Sequence, residues 1–255
     1  MKYALISDIH ANLPALDAVY RHVTEHSGAD AIYHLGDLVG YAPWPNEVVA
    51  RIANEGTPGV AGNYDSTVAT DYKHCGCRSE TPRQEELSHL SYDWTRRHVS
   101  PDTKAFLAGL PFRIDLQPNG GHASGPRVVL VHGTPTLNTV YWTEDRSNDF
   151  CLKMAGHAGM KRGDVIAFGH THIPWHREVE GMHFVNTGSV GRPKDGDWRA
   201  GYVLLTADQG GIAVDFVRVE YNVEEARQAI LKSELPNDFA EDLHTGCRPS
   251  SPSPA

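Results

Sequence analysis

No apolar stretch in this sequence approaches the ~20 residues that a bilayer-spanning helix requires, so no membrane partner is expected. The first segment lacks the basic start and small-residue cleavage site of a secretory signal, and the expected location is the cytoplasm. Cysteine is scarce: Cys75, Cys77, Cys151 and Cys247 make four in 255 residues. Without a secretory signal they are expected as thiols or ligands, not as a disulfide framework. A basic excess is also missing, with 23 Lys+Arg against 32 Asp+Glu and a formal net charge of -9. That argues against a protein that grips a nucleic-acid duplex. It leaves room for a small anion, because bound metal ions would reverse the sign locally. What the chain has in excess is histidine, fifteen in all, several of them directly after apolar runs.

The first such run, Tyr3 to Ile6, has no polar alternation and reads as a strand buried on both faces. In extended chain, residues i and i+2 point the same way, so Asp8 and His10 are expected to converge at its end. Asn12 and Pro14 then open a helix carrying Leu13, Leu16, Tyr20 and Val23. A second strand, 31–35, ends at Gly36-Asp37-Leu38-Val39-Gly40, and a short third, 59–61, ends at Gly62-Asn63-Tyr64-Asp65. Between them residues 46–55 read as helix. This alternation predicts parallel βαβ units whose strand C-terminal ends form the functional edge.

Residues 66–82 lose periodicity and are expected to be a surface loop insertion, carrying His74-Cys75-Gly76-Cys77. Two helices follow, and the Gly- and Pro-rich stretch 117–126 reads as a turn between strands. Strand 127–131 ends at His132-Gly133, and strand 164–168 ends at Gly169-His170-Thr171-His172. Strands 201–206 and 212–219 are predicted to form a hairpin turning at 208–211. Residues 1–235 are expected to form one domain, and the Pro/Ser-rich segment 236–255 a flexible tail.

Five apolar runs thus end in Asp8/His10, Asp37, Asn63, His132 and His170/His172. One such ending is noise; five are hard to obtain from packing needs alone. Two carboxylates, several imidazoles and one amide suit two divalent ions such as Mn²⁺, Fe²⁺, Ni²⁺ or Zn²⁺, and not an all-oxygen Ca²⁺ site. A carboxylate between glycines can bridge two ions about 3.5–4 Å apart, and Asp37 is the best placed candidate. Such a pair polarises a phosphoryl oxygen and lowers a water's pKa toward ~7, supplying hydroxide at neutral pH.

Taken in order, Asp8-Ile9-His10, Gly36-Asp37-Leu38-Val39-Gly40, Gly62-Asn63-Tyr64-Asp65, Val131-His132-Gly133 and Gly169-His170-Thr171-His172 resemble the signature of the calcineurin-like metallophosphoesterases. The small bacterial and archaeal phosphodiesterase branch is the nearest in pattern, and Asn186-Thr187-Gly188-Ser189-Val190-Gly191 resembles a further family segment. The resemblance implies an α/β fold, a four-layer αββα sandwich. It implies Asp8, His10, Asp37 and His172 around one ion, and Asp37, Asn63, His132 and His170 around the other, with Asn63 also touching substrate phosphate. The activity implied is hydrolysis of phosphodiesters or phosphomonoesters. A dinucleoside-polyphosphate or other phosphoanhydride hydrolase would use the same machinery, and a non-catalytic binding scaffold would keep the fold without the reaction. The expected partner is a small phosphorylated molecule, nucleotides included.

One departure stands out. Many relatives have a proton-donating histidine where this chain has Tyr64. Tyrosine, with a reference pKa of ~10, is a poor donor to a departing alkoxide, so aryl esters or phosphoanhydrides are the expected substrates. His74 is a candidate substitute donor, or with Cys75 and Cys77 part of a third ion site, or merely part of an irregular loop. Arg192 is a candidate clamp on substrate phosphate or a solvated surface charge.

Overall fold

The computed structural model describes residues 1–77, 81–117, 125–208 and 210–247. In chain order the elements are β1 (Lys2–Ile6), α1 (Leu13–His22), β2 (Ala31–His34), α2 (Pro45–Glu55), α3 (Asn63–Ala69), α4 (Pro82–His98) and α5 (Pro101–Ala108). There follow β3 (Ile114–Leu116), β4 (Val128–Leu130), α6 (Asn148–Ala158), β5 (Val165–Phe168), β6 (Trp175–Val179), β7 (Met182–Asn186), β8 (Ala200–Asp208), β9 (Gly211–Val219), α7 (Val223–Leu231) and α8 (Asp238–Thr245). A π-helical turn, Val23–Ser27, extends α1.

Strand order is β2-β1-β8-β9 in one sheet and β3-β4-β5-β7-β6 in the other. β1 pairs in parallel with β2, as do β4 with β5 and β5 with β7; the remaining pairings, β1 with β8 at the centre of its sheet included, are antiparallel. The residues of each central strand divide between two layers of core. Tyr3 and Leu5 of β1 meet Val128 and Leu130 of β4 and Val165 and Ala167 of β5 between the sheets. Ala4 and Ile6 face the other way, into a helical layer that includes Leu16, Val19, Val48 and Ile52. Val129, Ile166 and Phe168 face α6 through Cys151, Met154 and Ala155. Helices, sheet, sheet and helix make the expected αββα sandwich, and burial on both faces explains why these strands read as continuous apolar runs.

Several local expectations need correction. Residues 59–61 form no ladder of their own; Gly59 makes a single parallel bridge to His34. The 66–82 insertion is not loop throughout, since α3 runs to Ala69 and Cys75 is buried at 3% exposure. Cys75 and Cys77 are joined by a disulfide, whereas thiols or ligands are expected from the sequence; Cys151 and Cys247 are free. The segment from Asp238 to Thr245 is helical, not a frayed tail, because Phe239, Ala240 and Leu243 pack into the helical layer. Edge strand β3 fits the reading of 117–126 as a turn between strands, whereas edge strand β6 has no counterpart in the sequence reading. Residues 118–124 of the 117–126 turn, Gln209 of the hairpin and residues 248–255 lie outside the described residues. Among those described, no helix is long and apolar enough to cross a membrane.

Candidate metal centre

β1 stops at Ile6, and the chain beyond it is not extended. Asp8 and His10 have φ of 51° and 48°, in the left-handed region, so they do not converge by strand alternation. The pairing of β1 with β2 continues instead through their loops. Leu35 N–H donates to Ile6 O (2.8 Å), Asp8 N–H to Gly36 O (3.0 Å), His10 N–H to Asp37 O (2.9 Å) and Ala11 N–H to Leu38 O (2.8 Å). Asp37, His170 and His172 are left-handed too, at φ of 53°, 67° and 62°. Each tight turn swings a ligand-type side chain off its strand toward a common point.

Two buried clusters result, Asp8/His10/His172 and Asp37/His132/His170. In the first, Asp8 Oδ1 lies 3.2 Å from His172 Nε2 and 3.8 Å from His10 Nε2, and the two Nε2 atoms are 3.0 Å apart. His10 Nδ1 meets Val39 O at 3.0 Å and His172 Nδ1 meets Arg192 O at 2.7 Å. A carbonyl can only accept, so both Nδ1 atoms carry hydrogen and, in the neutral rings, both Nε2 atoms present lone pairs to each other. Asp8 Oδ1 beside them is buried with no hydrogen-bond donor. Acceptors facing acceptors in a buried space is the arrangement a cation resolves.

The second cluster repeats the logic. His132 Nδ1 donates to Leu35 O at 2.8 Å, turning Nε2 toward His170 Nδ1 (3.2 Å) and Asn63 Oδ1 (3.0 Å). Asn63 Nδ2 is used elsewhere, donating to Cys75 O at 3.1 Å and lying 3.5 Å from Cys77 Sγ, so its oxygen is the atom aimed at the cluster. Asp37 Oδ2 lies 3.5 Å from His132 Nε2 and 3.8 Å from His10 Nε2, within reach of both groups. The donor set therefore fits two ions of the imidazole- and carboxylate-binding kind.

Burial and the neighbouring His172 draw His10 down to about 3, and burial holds His170 and His172 well below the usual histidine value. Burial opposes charge on His132 as well, yet the adjacent Asp37 carboxylate lifts it to about 9. The carboxylates thus attract positive charge to this centre even when only a proton is available.

The surrounding residues hold the ligands. Ser7 Oγ (2.5 Å) and His170 N–H (2.9 Å) both donate to Asp8 Oδ2, leaving Oδ1 for the cluster. Asp65 accepts from the backbone N–H groups of Gly62 (2.9 Å), Asp37 (2.8 Å) and Leu38 (2.9 Å), clamping the loops that carry Asp37 and Asn63 together. Burial and the nearby Asp37 push its carboxyl up to about 7, and two cations alongside would draw it down again. Gly62 and Gly169 have no room for a Cβ; at Gly169 one would overlap Ser7 Oγ and Asp8 Oδ2. Ser189 Oγ donates to Asp8 O (2.7 Å), and Asn186 Nδ2 donates to Gly169 O (2.8 Å). The Asn186–Ser189 segment is therefore scaffolding behind the centre.

The remaining candidates lie differently. Tyr64 is 1% exposed, its hydroxyl donates to Ser91 Oγ at 3.3 Å, and burial raises its pKa well above 10. Its ring packs edge-on against His10, with centroids 5.6 Å apart, in a wall role and not as a proton donor. His74 is exposed, edge-on to Tyr72, with no contact to either cluster among the described residues. The Arg192 guanidinium stacks over Tyr41 at 4.4 Å and pairs with Asp242 of α8, so no free clamp is available there; its carbonyl orients His172. One neighbour has no signal in the sequence: Tyr141 packs its ring 4.2 Å from that of His170. Lys194, which follows Arg192 after the Asn186–Gly191 turn, donates its backbone N–H to His172 O at 3.2 Å, and burial followed by Arg192 lowers its amine to about 8.

Residues 1–210 match the calcineurin-like phosphoesterase superfamily domain. The chain belongs to that superfamily. As such it is a metal-dependent hydrolase of phosphoester bonds. Among its relatives, an uncharacterized protein of Methanocaldococcus jannaschii, MJ0912, is 30% identical over 264 residues, covering 95% of this chain and 97% of the relative. Phosphodiesterase YfcE of Escherichia coli K12 is 27% identical over 223 residues, covering 82% and 89%. A metallophosphoesterase structure from Sphaerobacter thermophilus superposes with a TM-score of 0.73 at 26% identity, covering 96% of this chain and all of that one.

Proposed function

We propose that this phosphoesterase works with two divalent ions sharing Asp37, and hydrolyses small phosphodiesters or phosphomonoesters whose leaving groups need little protonation. Asp8, His10, His172 and Asp37 would hold one ion; Asp37, Asn63, His132 and His170 the other. The observation that carries this is the pair of buried, mutually facing acceptor clusters with Asp37 Oδ2 within 3.8 Å of both. When bound, such ions polarise the phosphoryl group and acidify water. Mn²⁺, Fe²⁺, Ni²⁺ and Zn²⁺ all match the mixed imidazole and carboxylate set.

The chain's own residues do the rest. Carbonyls of Leu35, Val39 and Arg192 fix the tautomers of His132, His10 and His172. The Asn63 amide presents its oxygen to the second cluster and would also touch the substrate phosphate. Tyr64 keeps its proton and spends it on Ser91. This supports aryl esters and phosphoanhydrides, nucleotides among them, over alkyl esters.

The test is a panel of aryl phosphodiesters and monoesters graded by leaving-group pKa, assayed after chelation and after return of Mn²⁺. Rates should vanish on chelation, recover with about two ions per chain, and fall steeply as leaving-group pKa rises. Activity that survives Asp37→Ala or His132→Ala overturns the metal assignment, and a flat leaving-group dependence overturns the substrate class.

A further inference from the structure

The Cys75-Gly76-Cys77 turn touches the candidate centre, yet no step of the proposed hydrolysis uses it. Its contact is with Asn63, whose amide has two distinguishable ends. The oxygen faces His132 Nε2 at 3.0 Å, and the nitrogen is anchored by Cys75 O at 3.1 Å with Cys77 Sγ at 3.5 Å. The disulfide between Cys75 and Cys77 fixes the turn that supplies both anchoring atoms. Cys75 is buried, and its sulfur also meets Ser88 Oγ (3.4 Å) and the Cys77 N–H (3.2 Å). Cys77 is half-buried and borders a cavity of about 280 Å³, walled further by His74, Glu85 and His89. A small thiol reaching that cavity meets the disulfide at Cys77.

We propose that Cys75 and Cys77 are a reversible disulfide–dithiol pair that sets the orientation of the Asn63 amide, and through it the hold on the ion at Asp37, His132 and His170. This inference rests on the proposed role of Asn63 as a ligand. A dithiol reductant opens the pair by thiolate attack on Cys77 Sγ. The Sγ–Sγ bond breaks, Cys75 leaves as a thiolate and takes up a proton, and the reductant's second thiol displaces Cys77. Two electrons and two protons are delivered, and the reductant ends as its own disulfide. The freed turn no longer fixes the Cys75 carbonyl and Cys77 sulfur against Asn63 Nδ2. The amide gains a flipped orientation that presents N–H₂, which cannot ligate a cation. Partners that orient a ligand are worth about 10–100-fold in metal affinity, which sets the size of the response.

The experiment uses the full chain equilibrated in buffers of fixed reduced-to-oxidised dithiol ratio, with two readouts. Alkylation followed by mass analysis should find the peptide holding Cys75 and Cys77 unalkylated in the oxidised buffer and doubly alkylated in the reduced one. Equilibrium dialysis with Mn²⁺ should show the weaker of two ions losing about tenfold affinity on reduction. Cys77→Ala should bind Mn²⁺ like the reduced protein in both buffers, with Cys75→Ser as a second variant if the first folds poorly. Two ions held equally in both buffers overturn the redox inference alone. No Mn²⁺ bound in either overturns the two-ion function and this inference with it. Thiols that stay reduced in the oxidised buffer, or that capture added Zn²⁺ as a third ion, overturn the disulfide role.

Discussion

Asp65 is the perturbation that tests how the centre is held. Its fully buried carboxylate accepts three backbone N–H bonds, from Gly62, Asp37 and Leu38, at 2.8 to 2.9 Å. A hydrogen bond to a charged group contributes about 1.5–3 kcal/mol, and a buried donor left alone forfeits about 1–3 kcal/mol. Asp65→Ala strands all three donors; with partial relaxation and water entry the expected loss is about 4 kcal/mol. Native stability is only about 5–15 kcal/mol, so this is a large fraction of it.

Asp65→Asn is milder. One oxygen accepts from both Asp37 and Gly62 and the other from Leu38, so an asparagine oxygen serving the first two turns its N–H₂ against the Leu38 N–H. One bond is replaced by a donor clash, at a cost of about 2 kcal/mol. The assay is urea unfolding of the metal-loaded protein, where the cations hold the carboxylate ionised, read as a fall in midpoint at constant m. The expected order is wild type, Asn, Ala, with Mn²⁺ affinity falling in the same order as Asp37 and Asn63 lose their common clamp. An Asp65→Ala protein within about 1 kcal/mol of wild type, or Asn and Ala variants of equal stability, refutes the reasoning.

Two further outcomes follow from groups around the site. His34 is fully buried, neither ring nitrogen has a partner, and burial draws its pKa down to about 3. Its folded value lies below the ~6.5 of an unfolded chain. The contribution to stability is therefore complete above ~6.5 and is lost as pH falls toward 3, at up to about 1.4 kcal/mol per unit. His34→Phe keeps a ring against Gly59 and should flatten the acid limb of the stability–pH curve by that slope; an unchanged limb, measured by denaturant unfolding from pH 7 to 4, counts against it. Gly169→Ala should cost at least tenfold in affinity for one Mn²⁺, because its Cβ overlaps the atoms that seat Asp8. Gly156→Ala, on α6 with nothing within 4 Å of its added Cβ, is the control and should stabilise by about 0.5–1 kcal/mol.

What the sequence made legible follows from burial. β1, β4 and β5 are covered on both faces, so they appear as unbroken apolar runs, and the polar residues that interrupt them lie at the sheet edge where the ligands gather. Edge strands give no such signal: β6 is Trp-His-Arg-Glu-Val, half exposed and chemically mixed. α8 was hidden for another reason. It has eight residues and follows a proline, and what orders it is the distant pairing of Asp242 with Arg192 and the packing of Phe239. The roles of Tyr64 and Asp65 depend on where a hydroxyl and a carboxylate point, which depends on Ser91 and on backbone amides, those of Asp37 and Leu38 being far along the chain. The convergence of Asp8 with His10 was expected from alternation, but the turn that produces it is left-handed.

That left-handedness links the site to stability. Five of the seven expected ligands, Asp8, His10, Asp37, His170 and His172, have φ between 48° and 67°. A side chain in this region costs about 1 kcal/mol or more relative to glycine, and five amount to roughly 5 kcal/mol. Glycine would relieve the strain but supplies no ligand atom, so the cost is inherent in seating ligands at tight turns. An ion bound at these ligands would offset it, contributing about 2.7 kcal/mol at a concentration of 100 Kd. Without metal the strain should be exposed, and replacements at one position should separate ligand loss from backbone relief. His172→Gly and His172→Ala both remove the imidazole, but only glycine relaxes φ 62°. In chelator, His172→Gly should therefore unfold about 1 kcal/mol later than His172→Ala, although glycine ordinarily costs more chain entropy than alanine. The reverse order would mean that the turn is not strained and that ligand geometry here is set by side-chain contacts alone.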